Sequence, residues 1–288
     1  MSDWKKHNTT LKILRFAQEG QYGVLSTIAY TLDHVIAMIR AAENKNSPLI
    51  IQMFPWVISH SNGDLVKCAS MLAKKAKVPV AIHLDHCQDP AIVKLAAEKL
   101  PFDSIMVDMS HYEKADNLAR TKELVQLCNK YHKATEAEPG RIEGGEDGIC
   151  DTTELEGILT TPEEAELFLE TGIDILSPAF GNLHGNYPSA GPNLRFDILE
   201  TLAPKVEEKN ALLCLHGTND FTPKLIHENI SFKMSKINVN KLVLDTHLKY
   251  FEENASKLPL TDLLDKSNDL LVERLEYWMD VFGSSGKA

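Results

Sequence analysis

At 288 residues, with 43% hydrophobic and 25% charged side chains, the chain has an ordinary globular composition and room for one large core. Its net charge of −11 excludes a nucleic-acid surface, which calls for clustered Lys and Arg, and no apolar run is long enough to span a bilayer. The polar N-terminus lacks a secretory signal, and five scattered cysteines without a C-x-x-C pair read as reduced thiols, so a soluble cytoplasmic protein is expected.

Thr10–Glu19 reads as a helix ahead of the first strand. Strand-like runs then recur at Gly23–Ala29, Pro48–Met53, Val80–His86, Ser104–Ser110, Ala134–Glu138, Asp174–Phe180, Leu212–Gly217 and Lys236–Asn240. Several are short and continuously apolar, as parallel strands buried on both faces should be. Between the first two, Thr31–Asn44 carries Leu32, Val35, Ile36 and Ile39 at helical spacing, predicting a buried stripe. Leu65, Cys68, Leu72 and Ala76 predict another. Thr161-Pro162-Glu163-Glu164 combines a capping hydroxyl, a first-turn proline and a reaching glutamate, with Gly172 as the stop. Thr222-Pro223 repeats the device, and a last helix covers Leu264–Phe282. Eight strands alternating with helices predict one (β/α)₈ TIM barrel domain over residues 1–288, with an N-terminal cap helix and an extra C-terminal helix. A doubly wound sheet would place a Gly-rich turn after strand one, where Leu25-Ser26-Thr27-Ile28-Ala29-Tyr30 has no glycine.

Catalytic groups of such a barrel stand at the C-terminal ends of its strands. Those ends read His83-Leu84-Asp85-His86, Asp108-Met109-Ser110-His111, Glu136-Ala137-Glu138, Gly181-Asn182-Leu183-His184-Gly185, Cys214-Leu215-His216-Gly217 and Asn238-Val239-Asn240-Lys241. A single strand-end histidine is more often a hydrogen-bonded residue than a ligand. Three of them, with carboxylates beside them, point to a catalytic zinc, which takes three protein ligands and keeps a position open. His83 and Asp85, two residues apart, share a strand face, so His83 should point into the barrel as a supporting group.

Val78–His86 resembles the strand-three signature of class II ketose-bisphosphate aldolases. Glu136-Ala137-Glu138-Pro139-Gly140 with Glu146-Asp147-Gly148, Phe180–Tyr187, Leu215-His216-Gly217 and Lys236–Asn240 match in the same order, over essentially the whole chain. The resemblance implies zinc on His86, His184 and His216, with Asp108 and Glu138 able to take a second or displaced metal ion; a monovalent cation is a further candidate. It implies Asp85 as the acid–base for the C4 hydroxyl and Glu146 as the proton carrier for the three-carbon ketone. Gly185, Gly217, Thr218, Asn219, Asn238, Asn240 and Lys241 become the substrate-binding set, and a homo-oligomer acting on a phosphorylated sugar is implied. The Gly-Asn-x-His-Gly setting of His184 is closer to fructose- than to tagatose-bisphosphate members.

The pattern departs from its relatives at the half that would hold phosphate. Ser26-Thr27-Ile28 stands for Ala-Phe-Asn, and Met53–Trp56 for a segment with a small serine. Gly217-Thr218-Asn219-Asp220 replaces a Gly/Ser loop, and Lys241 replaces a threonine. Lys241 is expected either to attract phosphate as a point charge or to pair with Asp220. Fructose 1,6-bisphosphate aldolysis, an aldolase of shifted specificity and a catalytically weak binding barrel therefore stand as alternatives. A metal-dependent hydrolase would need an H-x-H pair on strand one, which is absent.

Overall fold

A computed structural model describes residues 3–145 and 155–288. Eight parallel strands close a barrel in sequence order: β1 (Val24–Ile28), β2 (Leu49–Met53), β3 (Val80–Cys87), β4 (Ser104–Val107), β5 (Ala134–Ala137), β6 (Ile175–Leu176), β7 (Leu212–Leu215) and β8 (Met234–Val239). All eight expected runs hold a strand. β6 shrinks to two residues because its continuation turns into the loop bearing Asn182 and His184. β8 begins two residues earlier than its apolar pattern suggested.

Alternation along each strand sorts the barrel interior into layers. At the N-terminal end, Val24, Ile50, Ala81, Ala134, Ile175 and Leu212 form an apolar layer. Helix Thr9–Gly20 closes that end with Leu11, Ile13, Leu14 and Ala17, so the expected cap helix acts as a plug. Asn8 caps this helix and also donates to Asp103 O at 2.8 Å. Two residues further along the strands the interior turns polar, with buried Ser26, Gln52, His83, Glu136, Ser177 and Lys236. The next positions reach the C-terminal mouth.

The capping signals act as expected. Thr161 and Glu164 form a reciprocal capping box, Pro162 occupies the first turn, and Thr222 caps Pro223–Ser231. Helix Leu32–Lys45 starts on Thr31, but its buried face is not the expected stripe. Leu32 and Ile36 are exposed, whereas Val35, Met38, Ala41 and Ala42 are buried. The helix is held between the sheet and the C-terminal helix Leu260–Phe282, and that close approach selects small side chains over large ones. In Asp64–Ala73 the buried positions are Val66, Ala69 and Ser70, while Leu65, Cys68 and Leu72 lie half-buried at its edge. Among the described residues no helix is long and apolar enough to cross a membrane.

Candidate active site

The C-terminal mouth of the barrel is a pocket lined by Asp85, His86, His184 and His216 on one side and by Ile28, Gln52 and Phe54 on the other; Gly217, Thr218, Asn219, Asn238, Val239 and Asn240 complete it. Strict alternation would send Asp85 and His86 to opposite faces of β3. The structure resolves this with a bulge: between Leu84 and Cys87, β3 spends one more residue than β4 spends between Ile105 and Val107. His86 sits there at φ +44°, in the left-handed region that non-glycine residues seldom adopt, and both side chains reach the pocket.

Three imidazole nitrogens converge. His216 Nδ1 lies 2.9 Å from His86 Nε2 and 3.4 Å from His184 Nε2, all buried. Ligands about 2.0–2.1 Å from a tetrahedral zinc are themselves about 3.3 Å apart, so the spacing fits a metal ion. The remote nitrogens are held as such a site requires. His86 Nδ1 donates to Asp108 at 2.9 Å and His216 Nε2 donates to Glu136 at 2.8 Å, which leaves the inward nitrogens free to coordinate.

Loop wiring brings His184 and His216 together. Asn182 takes the Phe180 N–H on its Oδ1 and donates to His216 O at 3.1 Å. The Tyr187 hydroxyl donates to Gly217 O at 2.7 Å and accepts from Leu183 N. Gly217, at φ +68°, lets the β7 turn lie directly against Leu183, where no side chain would fit.

Electrostatics follow from burial and charge count. Burial opposes ionisation of Asp85, but the charge of His86, the His83 contact and Lys236 override it and hold its pKa far below the carboxylate range. Asp108 and Glu136 are likewise held ionised against burial, by His86 and by Lys236 respectively. Three carboxylates against one ammonium leave two negative charges uncompensated, the deficit that a divalent cation would balance. In the metal-free protein His86 supplies one charge. Burial works against it, yet Asp85 and Asp108 raise its pKa to about 10, while burial and that neighbouring charge keep His184 neutral.

Not every expected residue joins the pocket. Asp108 and Glu138 stand behind His86, not among the converging ligand atoms. Glu138 accepts from Ile142 N at 2.7 Å, and burial together with the Asp108 charge raises its pKa to about 8, so it is largely protonated at neutral pH. Gly185 and Lys241 lie outside the lining; Lys241 is exposed and donates to Asn186 at 3.1 Å, away from the position expected for a pair with Asp220. Thr218 and Asn219 line the pocket but donate within the protein, to Asn238 O and Gly185 O. Asn240 donates to the Tyr30 hydroxyl. Glu146 lies outside the described residues.

Glu136 and Lys236, a fully buried pair 2.8 Å apart, carry weight that sequence reading missed. The available signal was their place two residues before Glu138 and Asn238, on inward-facing strand positions. Gln52 was also passed over; both polar atoms of its buried amide are unpartnered beside the pocket.

Comparison with known proteins agrees with this geometry. The family model described as "Fructose-bisphosphate aldolase class-II" matches residues 8–287. A relative from Coccidioides immitis (strain RS), named "Putative fructose-bisphosphate aldolase", is 45% identical over 98% of this chain and 96% of its own. A crystal structure described as that of a "putative fructose-1,6-biphosphate aldolase" from Coccidioides immitis superposes with a TM-score of 0.95 at 46% identity, covering 98% of both chains. The YdjI aldolase of Escherichia coli K12 superposes at 0.83 with 28% identity, covering 96% of this chain and 97% of its own.

Proposed function

Since this chain belongs to the class-II fructose-bisphosphate aldolase family and is thereby an aldehyde-lyase, we propose that it is a metal-dependent aldolase whose substrate is fructose 1,6-bisphosphate, split to glycerone phosphate and glyceraldehyde 3-phosphate. The observation that carries this reading is the convergence of His86, His184 and His216 beside Asp85 in one buried pocket. When bound there, a zinc or similar divalent ion supplies a Lewis acid that polarises the ketone carbonyl and stabilises the negative charge developing on its oxygen.

The chain's own residues handle protons and position. Asp85, ionised and held by Asn238 at 3.3 Å, takes the C4 hydroxyl proton as the C3–C4 bond breaks and the aldehyde forms. In condensation it returns that proton. Glu146 is assigned, from the resemblance, the proton that restores C3 of the ketone fragment. Ile28, Phe54 and Val239 exclude water from the mouth. The reading covers one barrel domain acting in the cytoplasm as a homo-oligomer, consistent with free thiols at Cys68, Cys87, Cys128 and Cys214.

One observation favours a second reading, an aldolase for a different ketose. Among the described residues no Lys or Arg lines the pocket, and Ile28 and Phe54 cover one wall. Phe54→Ser should then improve cleavage of fructose 1,6-bisphosphate relative to other ketoses. The primary test is elemental analysis with chelation: about one divalent ion per chain is expected, with cleavage lost when it is removed. Full activity in excess chelator, without bound metal, would sink the metal-dependent mechanism.

A further inference from the structure

Beneath the pocket, Lys236 is fully buried and does not line it. Its ammonium meets three acceptors: Glu136 Oε2 at 2.8 Å, Asn238 Oδ1 at 2.9 Å and Cys214 Sγ at 3.5 Å. Two of its donors are engaged by Asn238 and Cys214, and the Glu136 carboxylate stands against it as an ion pair. Each of the two oxygen partners belongs to a group whose other end touches the chemistry.

Glu136 forms the first arm. With Oε2 turned to Lys236, its Oε1 accepts from His216 Nε2 at 2.8 Å and from Ser177 Oγ at 2.7 Å. That bond settles which ring nitrogen of His216 carries hydrogen, and so leaves Nδ1 facing His86 and His184. Asn238 forms the second arm. The two ends of a side-chain amide are nearly equal in shape, and only their partners decide which way it points. A donor-only ammonium forces the carbonyl end toward Lys236, so the NH₂ end faces both carboxylate oxygens of Asp85, at 3.3 Å each. Reversal would press a carbonyl oxygen against the Asp85 carboxylate.

We propose that Lys236 is a positioning residue that orients His216 through Glu136 and Asp85 through Asn238, setting the metal ligand and the proton-transfer group from one buried point. A purely structural ion pair gives no account of why both arms end on reacting groups, and buried pairs of this kind contribute little net stability. The inference rests on the aldolase function proposed above.

Lys236→Met alone leaves Glu136 buried without its counter-charge and risks misfolding. The test therefore rests on Lys236→Met combined with Glu136→Gln, which removes the pair while keeping its shape. Metal-stripped wild type and double variant are titrated with Co²⁺ alone against a chelator, with the visible absorption of the bound ion recorded. Their kcat at saturating metal is measured on the best-cleaved member of a panel of phosphorylated ketoses. The expected result is a folded double variant with Co²⁺ affinity about 10–100-fold weaker and an altered spectrum. Its kcat at saturating metal should be lower by about tenfold or more. Wild-type affinity and kcat in the folded double variant overturn the proposal; so does a change in only one of the two. Failure to fold makes the pair structural and overturns it as well. Absence of metal-dependent cleavage by wild type sinks the functional reading instead, whereas an active wild type beside an indifferent variant sinks only the lysine's role.

Discussion

Replacing Gly217 with alanine should disable the site through geometry, although no reacting group is removed. The residue sits at φ +68°, and an added Cβ would collide with the Leu183 carbonyl oxygen and lie 2.8 Å from its carbon. Carbon atoms in contact prefer about 3.5–4.0 Å, so one segment must retreat by roughly 1 Å. The turn begins at His216 and the opposing segment leads into His184, whose ring nitrogens stand 3.4 Å apart. Their separation is therefore what yields. Misplacement on the order of 1 Å can cost about 10²-fold in rate, and the left-handed backbone adds about 1–2 kcal/mol of destabilisation. Gly172→Ala is the control. Its φ is +91° and nothing lies within 4 Å of the added carbon, so it should incur a similar backbone penalty with metal and turnover intact. Metal content, Co²⁺ affinity, kcat and thermal unfolding of the two variants decide the matter. If Gly217→Ala keeps full metal and turnover and loses no more stability than Gly172→Ala, the close approach does not position the ligands.

Asp85→Asn should lower kcat by about 10²–10⁴-fold at unchanged metal content, since general acid–base help is of that size; loss of the metal instead would reassign Asp85 to the ion. Lys241→Ala should shift KM for a bisphosphorylated ketose by less than about tenfold, because the lysine is exposed and already bonded to Asn186; a larger rise would return it to the phosphate site. His34 is held neutral by burial and by His247, with its pKa lowered from 6.5 to about 4. The unfolded chain binds that proton first as pH falls, so stability present above pH 6.5 is lost toward pH 4, by about 2–3 kcal/mol at pH 4.5. His34→Gln should flatten this slope in denaturant melts at pH 7 and 4.5, and identical slopes would refute it.

What sequence alone could determine here is local or periodic. Helix starts at Thr31, Thr161 and Thr222 are read from side chains that bond to their own first turn. Strands are read from β-rich apolar runs, and the barrel from their count and alternation with helices. The three converging histidines were legible because strand ends are where a barrel displays its chemistry. The tertiary structure decided everything that depends on two segments meeting. Period-two reasoning turns His86 away from Asp85; only the pairing of β3 with β4 creates the bulge that brings both into the pocket. Leu32 and Ile36 looked like a core stripe until the C-terminal helix claimed the opposite, alanine-rich face. Lys241 and Lys236 are five residues apart and equally cationic in sequence. One is exposed at a helix start and the other buried beneath the converging histidines, because inward direction on a closed barrel is set by strand register and closure. Charge and spacing are written in the chain, whereas which charges face each other without water between them is a property of the closed sheet.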